Sequence, residues 1–147
     1  MTSNGIKHTL HRAARAAIVL VASTGLVLGG ATAASAESLN GVCESGEGCQ
    51  WRLSSQSGGV VDQAGTISNY ANYTYRSTNG TTNGYNADNR ASALRCRGNS
   101  YDNKFWQHKD QGGWYFKVYR GASWNLTEYK DGEFDNRISG MSWYDFS

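Results

Sequence analysis

Two five-residue segments carry residue types that suit a hard cation. DNRAS spans residues 88–92 and DNRIS spans residues 135–139. Each offers a carboxylate at Asp88 or Asp135, an amide at Asn89 or Asn136, and a hydroxyl at Ser92 or Ser139. Calcium takes oxygens of these kinds, together with backbone carbonyls. The same residues also serve a turn that holds no ion, because Asp, Asn and Ser side chains bond to nearby backbone. Arg90 and Arg137 would repel a cation unless their side chains turn to solvent. A duplicated metal site, a duplicated turn and chance all remain open at this point.

The other reactive side chains are few. Cys43, Cys49 and Cys96 allow three single pairings, each leaving one thiol over. The glycines of ESGEG, between Cys43 and Cys49, let a short loop close. A Cys49–Cys96 bridge is the rival and would enclose a larger loop. Past the first 36 residues His108 is the one histidine, and no cysteine pair has zinc-finger spacing with partners to match. Asp62, Asp88, Asp102, Asp110, Glu128 and Asp135 hold no spacing that singles out a catalytic pair. No nucleophile, base or cofactor constellation stands out, so the expectation is a protein that is not an enzyme and requires no cofactor. Asn-x-Thr triplets begin at Asn72, Asn79 and Asn125 and read as by-products of a polar sheet surface.

The start of the chain has the parts of a secretory signal. Lys7, Arg12 and Arg15 precede an apolar run, AAIVLVASTGLVLGG, and then ATAASAES. Positive charge, an apolar stretch and a small-residue box define an export leader, here cut after Ala36. The apolar run is short for a membrane span. Removing residues 1–36 leaves 111 residues, an expected secreted, extracellular domain with no membrane association. The full chain has 14 bases and 12 acids; losing Lys7, Arg12 and Arg15 leaves 11 bases against 12 acids, or −1. The basic balance therefore belongs to the leader, and nothing points to a nucleic-acid partner. One small domain with a modest core follows from the length.

The remaining sequence is proline-free, rich in Gly, Ser and Asn, and carries five Trp and nine Tyr. Short alternating runs between turn residues predict an all-β protein. CQWRL, residues 49–53, begins a strand, and VVDQAG makes a short edge strand. YANYTYR, residues 70–76, alternates with Tyr73 and Tyr75 on one face and Tyr70 on the other. STNGTTNGYNA, residues 77–87, reads as a long turn-rich loop with two Asn-Gly pairs. ASALRC, residues 91–96, is a strand with Leu94 and Cys96 on one face. NKFWQHKDQGG, GWYFKVYRG, SWNLTEY and RISGMSWYDF supply the later strands. The halves repeat: Trp51 and Gly58 match Phe105 and Gly112, and the pentapeptides recur later in each half. Two such repeats predict two antiparallel units packed face to face.

FWQHKDQGGWYFKVYRGASWNL, with FDNRISGMSWY, resembles the Greek-key motif of the β/γ-crystallins. CESGEGCQW, SGGVVDQAGTISN and DNRASALR in the first half also resemble the secreted bacterial metalloproteinase inhibitors of family I36. The resemblance spans about residues 41–146. It implies two Greek-key motifs packed as a small crystallin-like β-sandwich, with repeat 1 at about residues 41–98 and repeat 2 at about residues 103–146. It also favours a Cys43–Cys49 disulfide, which leaves Cys96 as a buried thiol. In calcium-binding members, the motif would assign side-chain oxygens to Asp88, Asn89, Ser92, Asp135, Asn136 and Ser139, and backbone carbonyls to Arg90 and Arg137. Ala93 and Gly140 stand where that motif ends in a second serine.

The inhibitor resemblance implies a rigid loop presented to an extracellular peptidase. The candidate presenters are the disulfide-tethered Glu44 and Glu47, and the polar stretch holding Thr78, Asn79, Thr81, Thr82, Asn83 and Tyr85. The alternative is a calcium-binding or structural extracellular domain with an adhesive or carbohydrate-binding role, whose Trp and Tyr side chains meet a surface glycan.

Overall fold

The computed structural model describes residues 38–145. The expected export leader and its expected cleavage after Ala36 lie outside them. Nine strands form: β1 (Gly48–Leu53), β2 (Ser57–Gln63), β3 (Thr74–Arg76), β4 (Thr82–Asn86), β5 (Ala93–Cys96), β6 (Asp102–His108), β7 (Gly112–Val118), β8 (Ser123–Asn125) and β9 (Gly140–Tyr144). They make a six-stranded sheet, β4-β3-β2-β1-β5-β8, and a three-stranded sheet, β7-β6-β9. Every recorded pairing is antiparallel.

The β1–β2 and β6–β7 hairpins repeat residue for residue. Ser55, Gln56 and Gly58 have φ of 56°, 56° and 75°, and Asp110, Gln111 and Gly113 have 57°, 60° and 72°. Leu53 pairs with Ser57, and His108 with Gly112, in each case past a register shift. Trp51 therefore corresponds to Trp106 and Gly58 to Gly113. The expected match of Trp51 with Phe105 and Gly58 with Gly112 is one residue out. Each turn ends in two consecutive glycines, so the letters do not say which of them correspond: Gly58 and Gly59 are both left-handed, whereas of the second pair only Gly113 is. The slip matters because neighbouring strand residues face opposite ways. Phe105 is fully buried, and its true counterpart is the fully buried Gln50.

The two halves are not self-contained units. β8, from the second half, pairs with β5 in the first half's sheet. In return Ile67 bridges Met141 of β9, with N–H to carbonyl bonds of 2.8 Å in both directions. Each repeat thus donates its third segment to the other's sheet, the exchange that makes a pair of Greek keys. Both donors are anchored by side chains in the shared core, where Ile67 is 1% exposed and Leu126, next to β8, is 0%. Phe105, Phe116, Val118, Leu94 and Ile138 join that core. Fully burying one such side chain contributes about 1.5–3 kcal/mol.

The first half has an inserted hairpin, β3–β4. It places β2 inside the sheet, between β1 and β3, rather than at an edge. The expected continuous strand over residues 70–76 is interrupted: residues 70–72 form a 3-10 turn, capped by the Asn69 side chain, which accepts the Ala71 N–H at 2.9 Å. The turn breaks the alternation, so Tyr70 and Tyr75 both reach the core. The polar stretch also divides, into a tight turn followed by the edge strand β4. In the second half Phe116 is ringed by Trp124, Tyr129 and Phe134 at 5.7, 4.9 and 5.1 Å.

Candidate cation site

Each pentapeptide ends where a strand of the core begins, DNRAS at β5 and DNRIS at β9. The loops lie against each other across the junction of the two repeats. The Asn89 N–H donates to the Ile138 carbonyl at 2.9 Å, and the Asn136 N–H donates to the Ala91 carbonyl at 3.0 Å. Asn89 and Asn136 both take left-handed backbone, φ 50° and 55°. Asparagine adopts that conformation more readily than most residues. The sequence expectation that these loops correspond is met at the level of individual hydrogen bonds.

The side chains repeat the symmetry. The Asn89 amide donates to Asp88 Oδ2 at 3.0 Å, and the Asn136 amide to Asp135 Oδ2 at 2.8 Å. Ser139 Oγ reaches across the junction to Asn89 Oδ1 at 3.3 Å. Ser92 and Ser139 are each 6% exposed. Arg90 and Arg137 are both exposed residues. Oδ1 of Asp88 and Oδ1 of Asp135 are both buried and accept no hydrogen bond. A buried carboxylate oxygen without a donor is costly, and an ion is one of the things that satisfies it.

The turn and the metal are therefore not exclusive. Backbone and asparagine bonds build the turn from one side of each loop, and one oxygen of each aspartate is left over. Among the described residues no group of three or more His, Cys, Asp or Glu side chains is placed to hold a metal ion. The donor set is one carboxylate per loop with amide, hydroxyl and carbonyl oxygens. That fits a hard cation held weakly and does not fit zinc.

The two loops differ in their surroundings. A cavity of about 490 Å³ beside the first is lined by Asn69, Asp88, Ser139, His108 and Lys109. His108 is exposed at the end of β6, as expected of a solvated strand residue, but it also stands in the cavity wall with Asp88. No sequence spacing signals this, because the β6 hairpin and the first pentapeptide meet only in the folded chain.

Of the candidate presenting residues, Glu47 is buried and the β3–β4 residues are mostly exposed. Cys43 and Cys49 are bridged, with Cα atoms 6.0 Å apart. Within the tethered segment Glu47 is fully buried and its carboxylate accepts the Glu44 N–H at 2.7 Å. Burial pushes the Glu47 carboxyl up to about 7, against the lowering effect of that bond. Glu47 thus holds the loop from inside and does not face a partner. Glu44 is half-buried and accepts a 3.2 Å bond from Asn40. Cys96 is a buried free thiol, its pKa raised chiefly by burial. Thr78, Asn79 and Thr81 stand exposed at the β3–β4 turn, Thr82 and Tyr85 are exposed on β4, and Asn83 is half-buried, bonded to the Gly58 carbonyl at 2.9 Å.

No protein-family model matches the chain, and no curated protein matches it. Solved structures do. One, from work on the evolution of the eye lens β/γ-crystallin domain fold, aligns over 72% of this chain and 93% of its own, at 13% identity and a TM-score of 0.55. A β/γ-crystallin from an archaeon aligns over 69% of this chain and all of its own, at 17% identity and a TM-score of 0.49. Spherulin 3a from Physarum polycephalum aligns over 73% and 90%, at 13% identity and a TM-score of 0.46. The first similarity, with the exchanged strands, establishes a β/γ-crystallin-like all-β fold.

Proposed function

We propose that this protein is an exported structural domain whose two pentapeptide loops hold calcium and thereby lock its repeats together. The observation that carries the reading is the pair of buried, unaccepting oxygens, Asp88 Oδ1 and Asp135 Oδ1, at equivalent places in two mutually hydrogen-bonded loops. Calcium would draw on those carboxylates, on Asn89, Asn136, Ser92 and Ser139, and on the Arg90 and Arg137 carbonyls. It would supply the positive charge that the buried oxygens lack. The loops bridge the repeats, so an ion bound there opposes their separation. With one carboxylate per loop, the affinity belongs in the range of extracellular modules, about 0.1–1 mM. Calorimetric titration with calcium should give saturable binding in wild type and none in a D88N/D135N variant. Equal heats in the two proteins would remove the loops from the account.

One observation favours a second reading, peptidase inhibition. The β3–β4 turn is exposed yet firmly held: Ser77 N–H bonds to the Thr81 carbonyl at 2.9 Å, and the Arg76 guanidinium to the Gly80 carbonyl at 2.8 Å. A pre-ordered projecting turn loses little entropy on entering a cleft. Thermolysin-type peptidases assayed with micromolar protein decide it: inhibition lost on shortening the turn supports the reading, and unaffected peptidases contradict it.

A further inference from the structure

A second surface feature lies away from the pentapeptides. Four separated segments enclose a solvent-open cleft of about 360 Å³: the disulfide loop at Gly46, Ala64 just past β2, the β5–β6 connection at Gly98–Tyr101, and β9 at Trp143. We propose that this cleft is a binding site for a neutral sugar ring of an extracellular polysaccharide.

The walls carry the chemistry. Trp143 donates its indole N–H to the Ala64 carbonyl at 2.7 Å, so its polar edge is satisfied within the protein and its ring is left to line the cleft. Tyr101, 54% exposed, supplies a second ring. Asn99 and Ser100 add an amide and a hydroxyl at the rim. None of the described lining residues is charged, in a chain where 18% of residues are. A sugar ring has apolar C–H faces that pack on aromatic rings and hydroxyl edges that bond to amides. A neutral sugar also needs no counter-charge, and a shallow open cleft lets the rest of a polymer stay in water. The volume lies in the range of ligand pockets.

The cleft is held in shape without a ligand. The Gly46 N–H donates to the Arg97 carbonyl at 2.6 Å, the Arg97 N–H to the Glu47 carbonyl at 2.8 Å, and the Arg97 guanidinium to the Cys43 carbonyl at 2.8 Å. The disulfide loop is thereby fastened to the β5–β6 connection. Ser45 Oγ donates to Asn99 Oδ1 at 2.8 Å, which leaves the Asn99 N–H donors for another partner. Gly98 has no room for a side chain: a Cβ there would collide with the Tyr101 carbonyl and come within 2.7 Å of the Trp143 ring. Such preorganisation lowers the entropic cost of binding.

The test is retention of the purified protein on insoluble cellulose, chitin, xylan and mannan, with de-esterified pectin and immobilised heparin as anionic controls. Retention on at least one neutral polymer is expected. Y101A, an exposed change that leaves the core intact, should weaken it by about tenfold at unchanged melting temperature. N99A gives an independent check on the rim, and the Trp143 indole N–H resonance should shift on adding soluble oligomers of the retained polymer. Failure to bind any neutral polymer, binding to the anionic polymers alone, or full retention by both variants would each overturn the proposal.

Discussion

At the scale of single residues, carboxyl burial governs what can be measured. Asp88 and Asp135 each leave one oxygen buried without a donor. Replacing either by Asn in calcium-free buffer removes a poorly compensated charge, so stability should hold or rise by up to about 1 kcal/mol, whereas in calcium the same change should lower it. The loops should also be unequal. His108 and Lys109 stand beside Asp88, so D135N should cost more calcium affinity than D88N. Glu47 gives a pH signature. Its folded pKa, about 7, lies above the unfolded carboxylate value, so the folded state holds its proton more tightly. Stability should therefore fall as pH rises from about 4.5 to about 7, by at most on the order of 3 kcal/mol, and E47Q should flatten that slope in chemical denaturation. The pentapeptides, the cysteines and His108 were legible as letters. The burial of Glu47 was not, because nothing in ESGEG says which acid turns inward.

Elements were legible where alternation is long. β6 and β7 match their sequence patterns, with Phe116 and Val118 inward and Lys117 outward. Legibility failed at turns. A two-glycine ending hid the hairpin register, and the Asn69-capped turn rotated Tyr70 into the core beside Tyr75. The exchange itself was invisible: SWNLTEY reads as a strand, but its partner β5 lies in the other repeat, and Ile67 makes only a single bridge with no periodicity to show. They make a clear prediction. I67A and L126A should each destabilise the protein by about 2–4 kcal/mol. Because each residue sits in the sheet or core shared by both halves, urea unfolding should remain one transition by fluorescence and by circular dichroism. Two separated transitions would mean that the halves fold as the self-contained units the repeats alone suggest.

For the whole molecule, two devices supplement a modest core. The Cys43–Cys49 bridge closes a short loop, and replacing both cysteines by serine should cost about 2 kcal/mol. The other device is the junction of the pentapeptide loops, where Asn89, Asn136 and their carbonyl partners tie one repeat to the other. The two-repeat, all-β architecture was open to sequence reasoning because two loops kept the same letters. The pairing of those loops was not, since it depends on strand exchange. The most direct measurement is thermal unfolding with and without 10 mM calcium, with magnesium as control. Binding to the folded state alone should raise the melting temperature by roughly 5 °C or more in wild type and not in D88N/D135N. An unchanged melting temperature, or an equal rise in the double variant, would contradict the account.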